Sequence, residues 1–257
     1  MTEGGDLESA GAWLIEKILP DGVASAEAFC DPPDAVLYPG EAELITRAVD
    51  KRRREFRTAR HCARQALRQL GLPPAPVLRG ERGEPRWPAG VVGSLTHCAG
   101  YRAAAVAHSG DFRALGIDAE PHQPLPAGVL QIIALEQEQA GLSELAAADN
   151  ATCWDRILFC AKETLYKAWF PLTHSWLGFE DAAVTIKPGT IKPGTIKPGT
   201  IKPGTTDPAH GSFSAHLLVG APTITGETLT HFDGRWLRSD ELVITTIALS
   251  TITGRRT

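Results

Sequence analysis

Between Trp154 and Pro171 the residues Trp154, Ile157, Leu158, Ala161, Leu165, Ala168 and Trp169 recur at steps of three and four, the spacing that lines one face of a helix. A long helix with a buried stripe is predicted. Its other side carries Lys162, Glu163, Tyr166 and Lys167 beside Phe159 and Phe170, so that side is read as half-buried. A second helix is predicted between Arg47 and Leu70, where Phe56, Ala59, Ala63, Ala66, Leu67 and Leu70 share a face and Gly71 with Pro73 supplies the stop. Strands are expected at Tyr101 to Ala107, at Ala114 to Pro121, over LGFEDAAVTI, and at Gly211 to Gly220, Thr228 to Leu237 and Leu242 to Leu249. The Pro- and Gly-rich run from Leu72 to Pro88 reads as a connection, and the polar cluster Ser94, Thr96, His97 falls ahead of the first of these strands. His216 and His231 are read as structural.

Four tandem IKPGT units fill Ile186 to Thr205. Five residues are too few for a stacking repeat, and each Pro-Gly favours a turn, so an exposed, mobile loop is expected.

A chain of 257 residues, 43% of them hydrophobic, can bury a full core as one large domain or two small ones. The acidic N-terminus has no basic or apolar leader pattern, and no apolar run approaches the roughly 18 residues of a membrane span, so a cytoplasmic protein without a membrane segment is expected. Five cysteines without a CxxC pair suit reduced thiols better than disulfides or a structural metal site. A net charge of −4 argues against general nucleic-acid binding. The charge is unevenly spread, however. Arg47 to Leu70 holds nine basic and two acidic residues, a local +7 against −11 for the remainder.

Arg53, Arg57, Arg60, Arg64 and Arg68 recur at helical spacing, either as a solvated face or as an anion site, since guanidinium forks grip phosphate bidentately. Ser94, Thr96 and His97 add hydroxyls and an imidazole suited to phosphate oxygens. Asp118 and Glu120, two apart on a strand, point to one side. Glu163 and Lys167 could form an ordinary i,i+4 surface pair of about 0.2 to 0.5 kcal/mol. Grouped with Asp118 and Glu120, Glu163 instead completes a three-carboxylate oxygen site of the kind that holds Mg²⁺ with substrate phosphates.

GIDAE at Gly116 to Glu120, FCAKETLYK at Phe159 to Lys167 and SLTH at Ser94 to His97 together resemble the motif set of the Sfp-type 4'-phosphopantetheinyl transferases. RHCAR at Arg60 to Arg64, GEPRWP and KAWFPLT are similar to the PptT-like actinobacterial branch. The resemblance runs from about Arg47 to about Val184; Phe159 stands where many relatives have Trp, and Glu84 where many have Lys. It implies an α+β fold built as a pseudo-dimer of two similar halves, each an antiparallel sheet on a long helix, with coenzyme A between them. The halves would be residues 1–112, with the basic helix, and 113–257, with the metal site and the repeat loop at 186–205. It further implies transfer of phosphopantetheine from coenzyme A to a serine of apo acyl or peptidyl carrier proteins, by a monomer.

On this resemblance Asp118, Glu120, Glu163 and the Ala119 carbonyl would bind Mg²⁺, or Mn²⁺ in its place, and Glu163 would act as general base. Lys162 and Lys167 would hold phosphate oxygens, with Lys162 also catalytic. Arg52, Arg60, Arg79, Thr96 and His97 would take the 3'-phosphate and adenine end, and Arg53, Arg57 and Arg64 would remain surface residues. The repeat's four lysines could attract an acidic carrier. Another Mg²⁺-dependent phosphoryl or nucleotidyl transferase, or a non-catalytic coenzyme A or nucleotide binder, would use the same residue types.

Overall fold

A computed structural model describes residues 14–189, 208–220, 223–224 and 227–251. Most of the IKPGT repeat, and hence the expectations placed on it, lies outside the described residues. The chain runs through β1 (Ala24–Ala28), α1 (Asp50–Gln69), the short pair β2 (Leu78–Arg79) and β3 (Pro85–Arg86), then β4 (Val91–Cys98), β5 (Tyr101–His108) and β6 (Phe112–Pro121). Three helices follow: α2 (Val129–Ile133), α3 (Glu136–Ala148) and α4 (Trp154–Thr173). It closes with β7 (Ala182–Pro188), β8 (Ala209–Leu217), the two-residue β9 (Thr223–Ile224) and β10 (Glu227–Thr228), β11 (His231–Arg238) and β12 (Leu242–Ser250).

Two antiparallel sheets organise these elements, one ordered β1-β5-β4 and one ordered β6-β12-β11-β8-β7. Helix α1 lays Cys62, Ala63, Ala66 and Leu67 on the first sheet, the small side chains letting the helix lie close, and stops where Gly71 takes φ +74°. Helix α4 buries every residue of its predicted stripe against the second sheet, each large side chain contributing about 1.5 to 3 kcal/mol. Gly116 makes this contact possible: a Cβ there would stand 2.2 Å from the Thr164 carbonyl. A third cluster fills the space between the sheets, with Tyr101, Ala103 and Ala105 of β5 meeting Leu115 and Ile117 of β6.

Strand β4 is an addition to the expected strands. Ser94, Thr96 and His97 lie within it rather than ahead of a strand, because β4 and β5 form one hairpin turned at Gly100, φ +75°. Its hydroxyls have a structural task. The Ile117 amide donates to Ser94 Oγ at 3.1 Å and the Ala119 amide to Thr96 Oγ1 at 2.9 Å, so side chains rather than a backbone ladder join β4 to the edge of β6.

The arginine face of α1 also differs from expectation. Arg64 is buried, its guanidinium bound to Glu41 at 3.0 Å, while Arg53 stays exposed at the surface, where it bonds the carbonyls of Ala48 and Thr46. Arg57 is partly buried. No helix among the described residues is long and apolar enough to cross a membrane.

Candidate functional site

The side-chain seam between the sheets opens on a cleft of about 270 Å³ walled by α1, β4, the β2–β3 loop and α4. Seven of the nominated residues line it: Arg52, Arg60, Arg79, Thr96, His97, Glu163 and Lys167. One wall is cationic. Arg60 is buried, with its guanidinium carbon 3.6 Å above the Phe56 ring and Nε donating to the Val77 carbonyl at 3.2 Å. Arg79 covers the same ring at 5.2 Å. Burial, and then the neighbouring Arg79, bring the Arg60 pKa down to about 9, and burial and Arg52 lower Arg79. An anion would relieve this crowding of like charges.

Arg52 contacts His97 Nε2, and Glu55 lies 3.6 Å from the same nitrogen. Burial, followed by Arg52, draws the His97 pKa down to about 4, so the imidazole is neutral near pH 7. Asp118, Ala119 and Glu120 of β6 do not themselves line the cleft; Asp118 reaches its edge through Thr96 and Lys167, which do. Asp118 is buried, and its Oδ1 accepts from Lys167 Nζ at 2.7 Å and Thr96 Oγ1 at 3.1 Å. Its Oδ2 is buried without a partner. Lys167 also donates to the carbonyls of Ile117 and Leu95, so the expected pairing with Glu163 gives way to Asp118 and the seam.

Glu163 is raised by burial and then by Asp118. Glu120 is raised to about 7 by burial and then by Asp118, against the pull of Arg156, which holds its Oε2 at 3.1 Å. Ala119 donates its amide to Thr96, and in a strand its carbonyl leaves on the same side. Among the described residues no three His, Cys, Asp or Glu side chains stand close enough to enclose a metal ion. Asp118 nevertheless raises both Glu120 and Glu163, and its buried Oδ2 lacks a donor. Mg²⁺ is typically held by one or two carboxylates completed by water and substrate phosphate, and the residues present fit such a partial shell.

Lys162 does not join the site. It points away from the cleft, its ammonium 2.8 Å from Glu138 of α3 and bonded to the carbonyls of Phe179 and Ala182 at 2.6 and 3.1 Å. Three acceptors use its three N–H groups, leaving none for a phosphate. The cleft also recruits Glu55, Phe56, Tyr166 and Glu84. The first three were readable from periodicity, since Arg52, Glu55, Phe56, Ala59 and Arg60 share one helix face, as do Glu163, Tyr166 and Lys167. Glu84 folds back to accept from the Arg82 amide at 3.0 Å, against Gly80.

Comparison with known proteins agrees with this geometry. Residues 40–107 match the family model of the 4'-phosphopantetheinyl transferase N-terminal domain, and residues 114–203 match that of the 4'-phosphopantetheinyl transferase superfamily. The chain is 52% identical to the 4'-phosphopantetheinyl transferase Npt of Nocardia iowensis over 91% of this chain and 99% of that protein. It is 50% identical to the 4'-phosphopantetheinyl transferase PptT of Mycobacterium tuberculosis over 92% of this chain and 98% of that protein. Identity to the 4'-phosphopantetheinyl transferase Svp of Streptomyces mobaraensis is 46% over 94% of this chain and 91% of that protein. With a cationic wall sharing one cleft with Glu163 and Lys167, and with relatives matched over nearly their whole length, this chain belongs to the 4'-phosphopantetheinyl transferase family.

Proposed function

We propose that the chain transfers 4'-phosphopantetheine from coenzyme A to a serine of apo acyl or peptidyl carrier proteins, releasing adenosine 3',5'-bisphosphate. The observation that carries this reading is the meeting of the crowded arginine wall with Glu163 and Lys167 in one cleft, with the half-satisfied Asp118 bonded behind them to Lys167 and Thr96. Arg60 and Arg79, with Arg52, His97 and Thr96 at their flank, take the 3'-phosphate and adenine end of coenzyme A. Lys167, whose three N–H groups are taken by Asp118 and the carbonyls of Leu95 and Ile117, brings its positive charge to the pyrophosphate and holds Asp118 in place, without a free donor for a phosphate oxygen. Asp118, Glu120, Glu163 and the Ala119 carbonyl would supply the partial shell for Mg²⁺, or Mn²⁺, completed by water and substrate, and the ion would neutralise charge on the pyrophosphate. Glu163, whose carboxyl already favours protonation more than a solvated glutamate does, accepts the serine proton.

The layers support a pseudo-dimer divided near residues 112 and 113, with α1 on the first sheet and α4 on the second, and the two family matches fall on either side of that division. A cytoplasmic monomer serving carrier proteins accords with the reading. The test is direct: incubate the protein with coenzyme A, Mg²⁺ and an apo carrier protein, and weigh the carrier. A gain of one phosphopantetheine on serine is expected. An unmodified carrier across several carrier types would overturn the proposal.

A further inference from the structure

The first turn of α4 carries two side chains turned toward the chain as it leaves β6. Asp155 Oδ2 accepts from the Leu125 amide at 2.8 Å. Arg156 makes three bonds: Nε to the Gln123 carbonyl at 2.9 Å, NH2 to the Pro124 carbonyl at 3.0 Å and NH1 to Glu120 Oε2 at 3.1 Å. Two of these bonds hold backbone. The third holds one oxygen of a carboxylate beside Asp118.

Arg156, Glu163 and Lys167 lie seven and four residues apart on α4, which stacks them on one helix face. At one end Lys167 fixes Asp118 Oδ1, and at the other Arg156 fixes Glu120 Oε2. Each strand carboxylate is therefore tied by one oxygen to a cation of α4. Asp118 Oδ2 has no partner, and no described residue donates to Glu120 Oε1. Glu163 stands between the two clamps on the same face. A carboxylate held by one oxygen presents the other in a fixed direction, which is how residues behind a metal ligand orient it.

We infer that Arg156 is a positioning residue for this enzyme's divalent-cation site, acting through Glu120 without touching substrate. The inference rests on the assignment of Asp118, Glu120 and Glu163 to the cation. Its test is Mn²⁺ binding, followed by paramagnetic resonance in the presence of coenzyme A and without a carrier, on wild type, Arg156→Gln, Asp155→Asn and Asp118→Asn. Arg156→Gln weakens Mn²⁺ binding about ten- to hundredfold and raises the Mg²⁺ concentration for half-maximal transfer in step. Asp155→Asn loosens the same loop without touching Glu120 and leaves Mn²⁺ affinity within about twofold, because no carboxylate near the cation loses its clamp. Arg156→Lys, which keeps the charge, gives an intermediate value and carries the test if the Gln variant does not fold. In a Glu120→Ala background, Arg156→Gln adds no further loss. Equal Mn²⁺ affinity in wild type and Arg156→Gln, or an equal loss in Asp155→Asn, overturns the inference while leaving the cation assignment standing. Equal affinity in wild type and Asp118→Asn overturns the cation assignment itself, and the inference with it.

Discussion

Replacing Lys162 tests whether the lysine beside Glu163 on α4 serves chemistry or architecture. Its ammonium, 4% exposed, is shared among Glu138 at 2.8 Å and the carbonyls of Phe179 and Ala182. Glu138 in turn accepts from the amides of Leu135 at 2.7 Å and Val184 at 2.6 Å, so the pair links α3, α4 and the edge of β7. Lys162→Met keeps the aliphatic stem but strands the Glu138 charge and two carbonyls. Breaking one partner of a buried ion pair costs about 3 to 5 kcal/mol, a large part of the roughly 5 to 15 kcal/mol that holds a typical domain folded. In a protein of this size the melting temperature should fall by roughly 6 to 20 °C. Removing both charges, as Glu138→Leu with Lys162→Met, leaves no uncompensated ion, so the double variant should lose clearly less than the sum of the single losses. Catalysis should follow a different course. Assayed well below its melting temperature, Lys162→Met should keep kcat and KM for coenzyme A within about threefold, since it removes no donor that faces the cleft. A folded Lys162→Met enzyme whose KM for coenzyme A rises tenfold or more would refute this account and return Lys162 to the phosphates.

Asp118→Asn preserves shape while removing the buried charge held by Thr96 and Lys167; transfer rate should fall more than about a hundredfold, several kcal/mol in the transition state, and near-normal turnover in a single-turnover assay would contradict the assignment. Arg60→Ala removes a charged donor worth about 1.5 to 3 kcal/mol, so calorimetry should find coenzyme A bound roughly ten- to hundredfold more weakly and dephospho-coenzyme A, which lacks the 3'-phosphate, almost unchanged; equal losses for both ligands would separate Arg60 from that phosphate. His97 has a folded pKa of about 4 against an ordinary 6.5, so the unfolded chain binds more protons between these values, and its contribution is full above pH 6.5 and lost as pH falls toward 4. With its side chain 38% exposed, solvent screening limits the effect to on the order of 1 kcal/mol; urea unfolding at pH 7.5 and 5 should show a smaller acid loss for His97→Asn than for wild type, and identical pH dependence would disprove it.

Periodicity alone located α1 and α4, because their buried faces are runs of Ala, Leu, Ile and aromatic residues at helical steps. It also brought Asp118 and Glu120 to one side of a strand. It missed β4, where Gly93 and Ser94 are weak strand formers whose presence depends on what β6 requires of them. The same limit explains Lys162 and Arg64. A helical wheel sorts side chains by direction but cannot say what covers them, and the partners Glu138 and Glu41 arrive from other parts of the chain. Arg156 went unassigned for the same reason: its three acceptors are two backbone carbonyls and one carboxylate more than thirty residues upstream. The cation crowding around Arg60 was visible as charge count only; its geometry, with two guanidinium groups over one phenyl ring, comes from tertiary packing.

The hydroxyl seam between β4 and β6 has a consequence for how an active molecule comes into being. The anionic corner of the cleft is completed by Thr96 from one sheet and Lys167 from the helix on the other, both meeting at Asp118. Helices and hairpins can mature within each sheet before that meeting. Recovery of helical signal after denaturation should therefore run ahead of recovery of the cleft, and a molecule whose sheets have met out of step by even one strand position would face β6 with the wrong side chains. Such a molecule would look folded by its secondary structure and yet lack a site. Ligand binding would then report that the two layers have met in register across the seam.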